Sequence, residues 1–68
     1  MAQLSNTISV EISLRYALMA NDVFRDRFKY IGHQSYTNVY EFQSNEDAQD
    51  FIDVLVCDHN MLDEAIMS

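Results

Sequence analysis

The apolar positions change period along the chain, and each change marks the border of an element. From Thr7 the residues alternate strictly, with Ile8, Val10, Ile12, Leu14 and Tyr16 on one side and Thr7, Ser9, Glu11, Ser13 and Arg15 on the other. A helical projection scatters those five apolar residues around the whole circle, so the spacing predicts a strand with one face on the core. Ala17, Ala20, Val23, Phe24, Phe28 and Ile31 then share one side of a helix, opposite Asp22, Arg25, Asp26 and Lys29. That pattern predicts a helix from about Ala17 to Phe28, with Asp22–Arg25 and Asp26–Lys29 as i,i+3 pairs worth roughly 0.2–0.5 kcal/mol each.

The run TNVYEFQ is rich in β-branched and aromatic residues, with Tyr36, Tyr40 and Phe42 at even spacing, and predicts another strand. The preceding KYIGHQ, residues 29–34, has two readings. It is either a strand that turns back around Ser35 to Asn38, or the end of the helix, closed by Gly32 as a C-cap residue.

From Ser44 to the end the chain reads as one long helix. Ser44 and Asp47 have the Ser-x-x-acid spacing of an N-cap and its reciprocal partner, which starts the helix at Asn45, and Glu46 and Asp47 complement the positive end of its dipole. Ala48, Phe51, Ile52, Leu55, Val56, His59, Leu62 and Ile66 make the core stripe. The opposite side carries Glu46, Asp50, Asp53 and Glu64, with Asp47 and Asp58 on its flank. Within it sit Val54, Cys57 and Met61, which the core stripe does not need.

These elements give strand, helix, strand, strand, helix: a small α+β domain of order βαββα, ferredoxin-like (a split βαβ) but lacking the last strand, with two helices on one face of a three-stranded sheet. Without a strand at 29–34 the order is βαβα. Residues 1–6 show no period and read as a flexible lead to a single domain over 7–68. A small sheet with an open edge needs protection or a partner, and edge-to-edge pairing in a homodimer is one solution.

Composition narrows the function more than the fold. Sixty-eight residues allow one domain, and 49% hydrophobic residues with eight aromatics are enough for a core. Cys57 has no second cysteine for an intramolecular disulfide, and MAQLSNT lacks the basic flank and apolar run of a signal peptide, so an intracellular, cytoplasmic location is expected. No apolar run approaches the length of a membrane span. Charge is polarised: residues 1–34 balance to plus one and residues 35–68 to minus eight, with no Lys or Arg after Lys29. Phosphate contacts are made chiefly by Lys and Arg, so a basic partner fits better than direct nucleic-acid binding.

Catalytic and metal chemistry find little support in these residues. Cys57, Asp58 and His59 are the nearest to a metal constellation, but one Cys and two His cannot supply the usual zinc sets, and Cys57 and His59 diverge by about 200 degrees on one helix. The same divergence leaves Cys57 without His59 as a base. Neither a phosphate-binding glycine loop nor any catalytic motif is present. Tyr30, Tyr36 and Tyr40 could stack on bases, but a basic rim around them is lacking beyond Arg15, Arg25, Arg27 and Lys29.

The expectation is therefore a non-enzymatic, cofactor-free protein-binding module that engages a basic or nucleic-acid-binding partner through Glu41, Glu46, Asp47, Asp50, Asp53, Val54, Cys57, Met61 and Glu64. In its sharper form it is a nucleic-acid mimic, an inhibitor of the phage or mobile-element kind directed at restriction, CRISPR or polymerase complexes. The alternative is a structural or regulatory homodimer in which the sheet edge, or the Val54, Cys57 and Met61 strip, pairs with itself.

Overall fold

The computed structural model describes residues 7–28 and 32–67. Along them run strand β1 (Ile8–Glu11), helix α1 (Ala17–Arg27), strands β2 (Gln34–Tyr36) and β3 (Val39–Phe42), and helix α2 (Asn45–Asp53). The sheet order is β1-β3-β2, and both outer strands are antiparallel to β3. β1 and β2 therefore run parallel to each other and need a crossover, which α1 supplies; this is the split βαβ expected from the pattern.

Register explains which residues enter the core. Ile8 lies opposite Phe42 and Val10 opposite Tyr40, and residues directly opposite share a face, so these four and Ile12 point toward the helices. Ser9, Glu11, Gln34, Val39 and Glu41 belong to the other face. Tyr36 joins them, contrary to its even spacing with Tyr40 and Phe42, because the turn at Thr37 and Asn38 lies between and pairs Tyr36 with Val39.

The first strand is shorter than its alternation. Val39, opposite Glu11, is the first residue of β3, and beyond it only the Asn38 carbonyl remains, accepting from the Ile12 N–H at 2.9 Å. Asn38 Nδ2 donates back to the Ile12 carbonyl at 2.8 Å. With no further partner strand, residues Leu14–Tyr16 close into a 3₁₀ turn and Leu14 stays 68% exposed instead of reaching the core.

Helix α1 buries Ala17, Ala20, Val23 and Phe24, with Phe28 just past its end. The expected Asp22–Arg25 pair forms at 2.5 Å between exposed side chains. Lys29 and Ile31, like the lead at 1–6, lie outside the described residues. Gly32 does not cap α1, which ends at Arg27 with Phe28 as its C-cap residue; with φ of 86° it makes the turn into β2, where a side chain would be strained. The hairpin thus exists, but displaced: of residues 32–34 only Gln34 belongs to β2, and 29–31 are not described.

The largest departure is at the C-terminus, which is not one helix. After Asp53 the helix widens into a π turn over Val54–Asp58 and stops. Asn60 takes a left-handed conformation, φ 56°, and the Met61 N–H closes back on the Leu55 carbonyl at 3.0 Å. This is the closure that usually follows a left-handed cap, one residue longer because of the wide turn, and Asn is the residue after glycine best suited to it. The chain then runs through a 3₁₀ turn at Asp63–Ala65 to an antiparallel bridge between Ile66 and Ile12. Ser13 N–H donates to Ala65 O and Met67 N–H to Glu11 O, both at 2.7 Å. Residues 65–67 so lie along the outer edge of β1, where the pattern lacks its last strand.

Both helices and the sheet meet in one aromatic cluster. Phe24, Phe28, Tyr40, Phe42 and Phe51 are all nearly or fully buried, and their paired rings are 4.9–6.0 Å apart. Edge-to-face pairs such as Phe24–Phe51 and Phe28–Phe42 have the geometry that ring quadrupoles favour. Tyr40 is the polar member. Its hydroxyl donates to Asn21 Oδ1 at 2.5 Å, with Ala17 O at 3.3 Å, and burial pushes its pKa up to about 12.

Candidate functional site: the acidic side of the second helix

Helix α2 starts as its sequence demands. Ser44 is extended, and its hydroxyl accepts from the Asp47 N–H at 3.1 Å. The reciprocal half of the box is replaced by a longer-range contact: the Asp47 carboxylate accepts from His33 Nε2 at 2.7 Å. Since a carboxylate only accepts, Nε2 carries the proton of that bond. The ring packs by Phe42 and Phe28, and its Nδ1 is buried without a hydrogen-bond partner among the described residues.

The carboxylates of α2 lie on its solvent side. Glu46 and Asp53 are exposed, and Asp47 and Asp50 are half-buried. Arg27, at the end of α1, reaches Asp50 at 2.8 Å, and Gln49 Nε2 donates to Asp53 at 3.0 Å. Glu46, Asp50 and Asp53 recur one helical turn apart, so they form a stripe along the axis. The Arg27–Asp50 pair is solvent-exposed on both sides, a setting in which ion pairs contribute little and are easily exchanged.

The other residues expected on this surface divide. Met61 is 2% exposed and belongs to the core, because the left-handed Asn60 turns the chain inward at that point. Val54 is half-buried and packs against the core. Only Cys57 of the apolar three is exposed, so the strip of Val54, Cys57 and Met61 does not exist as a surface, either for a partner or for self-pairing. Glu41 is on the far face of the sheet, opposite Ser9 and Gln34. Glu64 is exposed in the turn near the end of the chain, on no helix. The core stripe loses His59 and Leu62, both exposed, and gains Met61 and Ala65.

His33 and Arg27 are the residues that the sequence did not point to. They come from 14 and 23 positions away to meet Asp47 and Asp50, and no local spacing announces such contacts. Among the described residues no group of three or more His, Cys, Asp and Glu could hold a metal ion, and no helix is long and apolar enough to cross a membrane. Comparison of the chain with protein-family models, curated proteins and solved structures returns no match.

Proposed function

We propose that this protein is a non-enzymatic binding module of a reducing, intracellular compartment that engages a basic, nucleic-acid-binding protein through the carboxylate stripe of α2. The observation that carries the reading is the charge density of that helix. Glu46, Asp50 and Asp53 span about 10.5 Å of helix axis at a rise of 1.5 Å per residue, one carboxylate every ~5 Å, with Asp47 on their flank. A single DNA strand presents one phosphate every ~3.4 Å.

A groove built to receive phosphates meets a row of negative charges on this helix, and an inhibitor that occupies the groove blocks the nucleic acid. Opposite charge speeds and orients the encounter. Arg27 and His33 hold the Asp50 and Asp47 carboxylates in place before the partner arrives, and Arg27, being exposed, can yield to a cation of the partner. An anti-restriction or anti-CRISPR protein of phage or mobile-element origin is the kind of inhibitor this describes.

Affinity capture from a cell lysate, washed with salt and then with competing DNA, tests it. A basic nucleic-acid-binding protein that competing DNA releases supports mimicry, whereas retention that neither salt nor DNA disturbs contradicts it.

A further inference from the structure

The edge strand β2 is only three residues long, but it carries none of the charges or prolines that usually keep sheet edges apart. It is the outer strand of the order β1-β3-β2, all three of its residues are exposed, and among the described residues no element pairs with its free side. Edges are normally blunted by lysine or other charges, by proline or by a bulge. Here the whole run Tyr30 to Tyr40 contains no Asp, Glu, Lys or Arg, in a chain whose net charge is minus seven, and the chain has no proline. The hairpin is the neutral part of an acidic molecule.

We infer that β2 pairs with β2 of a second copy of this chain, antiparallel about a two-fold axis through Ser35, to make a continuous six-stranded sheet. An antiparallel edge is complementary to itself under a two-fold axis, so no second surface is required. The axis sets Gln34 of one copy opposite Tyr36 of the other, twice. Both side chains lie on the outer face of the sheet with Glu41 and Val39 as their β3 partners, and Tyr36 already donates to Gln34 within its own strand at 2.6 Å.

Charge favours this copy-to-copy contact over others. Helix α2 packs on β1 and β3, and the one of its carboxylates that reaches toward the hairpin, Asp47, is engaged there by His33 at 2.7 Å. Glu41 is the cross-strand neighbour of Gln34 on β3, one strand back from the junction, and on α1 Asp22 and Arg25 are neutral as a pair. A three-residue edge buries less than the ~1,200 Å² of a stable specific interface, so the dimer is weak and depends on concentration. It does not depend on the acidic-helix reading, although it would present two acidic helices on one particle.

Light scattering and sedimentation velocity across a wide concentration range test the inference, with charge swaps on the edge. The unmodified protein is expected to approach twice its monomer mass as concentration rises. The double variants Gln34→Lys with Tyr36→Lys and Gln34→Glu with Tyr36→Glu place like charges opposite each other and should each stay monomeric. Mixed in equal amounts they should pair again, seen as a heterodimer by native mass spectrometry. Because both positions are on the solvent face, circular dichroism should remain that of the folded protein. A parent that stays monomeric at millimolar concentration, like-charged variants that still dimerise, or folded variants that do not pair on mixing would overturn it.

Discussion

The two helices cover the same face of the same sheet, yet they are specified in different ways. Helix α2 carries its own instructions: a serine cap bonded to the Asp47 N–H, acids in the first turn, and apolar and acidic residues sorted cleanly to opposite sides. Helix α1 has no side-chain cap, holds basic residues only in its last turn, and leaves Leu18 83% exposed on the side that should be polar. Its order comes from what it touches. Phe24 meets the rings of Phe28, Tyr40, Phe42 and Phe51, and that contact set, more than local propensity, fixes α1 on the sheet. One helix is written locally and the other is held by tertiary packing.

Substitutions should separate the two modes, and the largest effect belongs to the packing side. Phe24→Ala removes the ring on which both helices and the sheet converge; a loss of about 3–5 kcal/mol is expected, enough to unfold a domain of this size, measured by denaturant titration. Phe24→Leu should retain a cooperative transition at lower midpoint.

Tyr40 gives the next effect, read through pH. Its folded pKa of about 12 lies above the 10 of a free phenol side chain, because burial disfavours the phenolate. The folded state therefore keeps the proton that the unfolded chain releases. The stabilisation is complete below pH 10 and is lost as pH rises through the interval from 10 to 12, by up to about 2–3 kcal/mol. Tyr40→Phe should flatten that part of the stability profile, and an unchanged slope would remove burial as its cause.

Ser44→Ala tests the local mode. It deletes the hydroxyl that accepts from Asp47 and should cost about 1 kcal/mol, while Ser44→Asp should cost far less. Amide exchange in the first turn of α2 should report the loss most strongly. At the small end, Leu18→Gln should change stability by no more than about 0.5 kcal/mol, since its side chain is almost wholly in water. A larger loss would mean that Leu18 is covered in solution.

The same contrast accounts for what could be read from sequence. The start of α2 at Asn45 and the inward set Ala17, Ala20, Val23, Phe24 and Phe28 were legible because caps and periodicity are local. The end of α2 was hidden because Leu62 and Ile66 keep helical spacing from Leu55, and the residue that stops the helix is an asparagine in a chain with no proline. Asn60 was the available signal: an αL-tolerant residue followed at once by apolar Met61. Leu14 deceived for a different reason, since alternation continues in the sequence after the partner strand has run out.

For the candidate site, the acids of α2 were legible as a helical stripe, but their counterions were not. His33 and Arg27 reach Asp47 and Asp50 only through the tertiary fold. Met61 falls on the acidic side only when the helical projection is carried past Asp58, where the helix has ended; in the fold it is buried.

Arg27→Ala sharpens the functional side of the comparison. It frees Asp50 at little cost to stability, about 0–1 kcal/mol, and should strengthen capture of a basic partner at low salt. Weaker capture would mean that the arrangement of Asp50, and not its charge alone, is what the partner reads.

The central claim, that one face of α2 and not net acidity does the binding, is tested most directly by two charge-matched triple variants. Glu46→Lys with Asp50→Lys and Asp53→Lys reverses the stripe; Glu41→Lys with Asp58→Lys and Glu64→Lys makes the same change in net charge at positions away from it. Both are compared with the parent by affinity capture of the same partner at one ionic strength. Loss of capture in the first with retention in the second is the predicted result. Equal loss in both would show that total charge alone drives binding, and retention in the first would contradict the account.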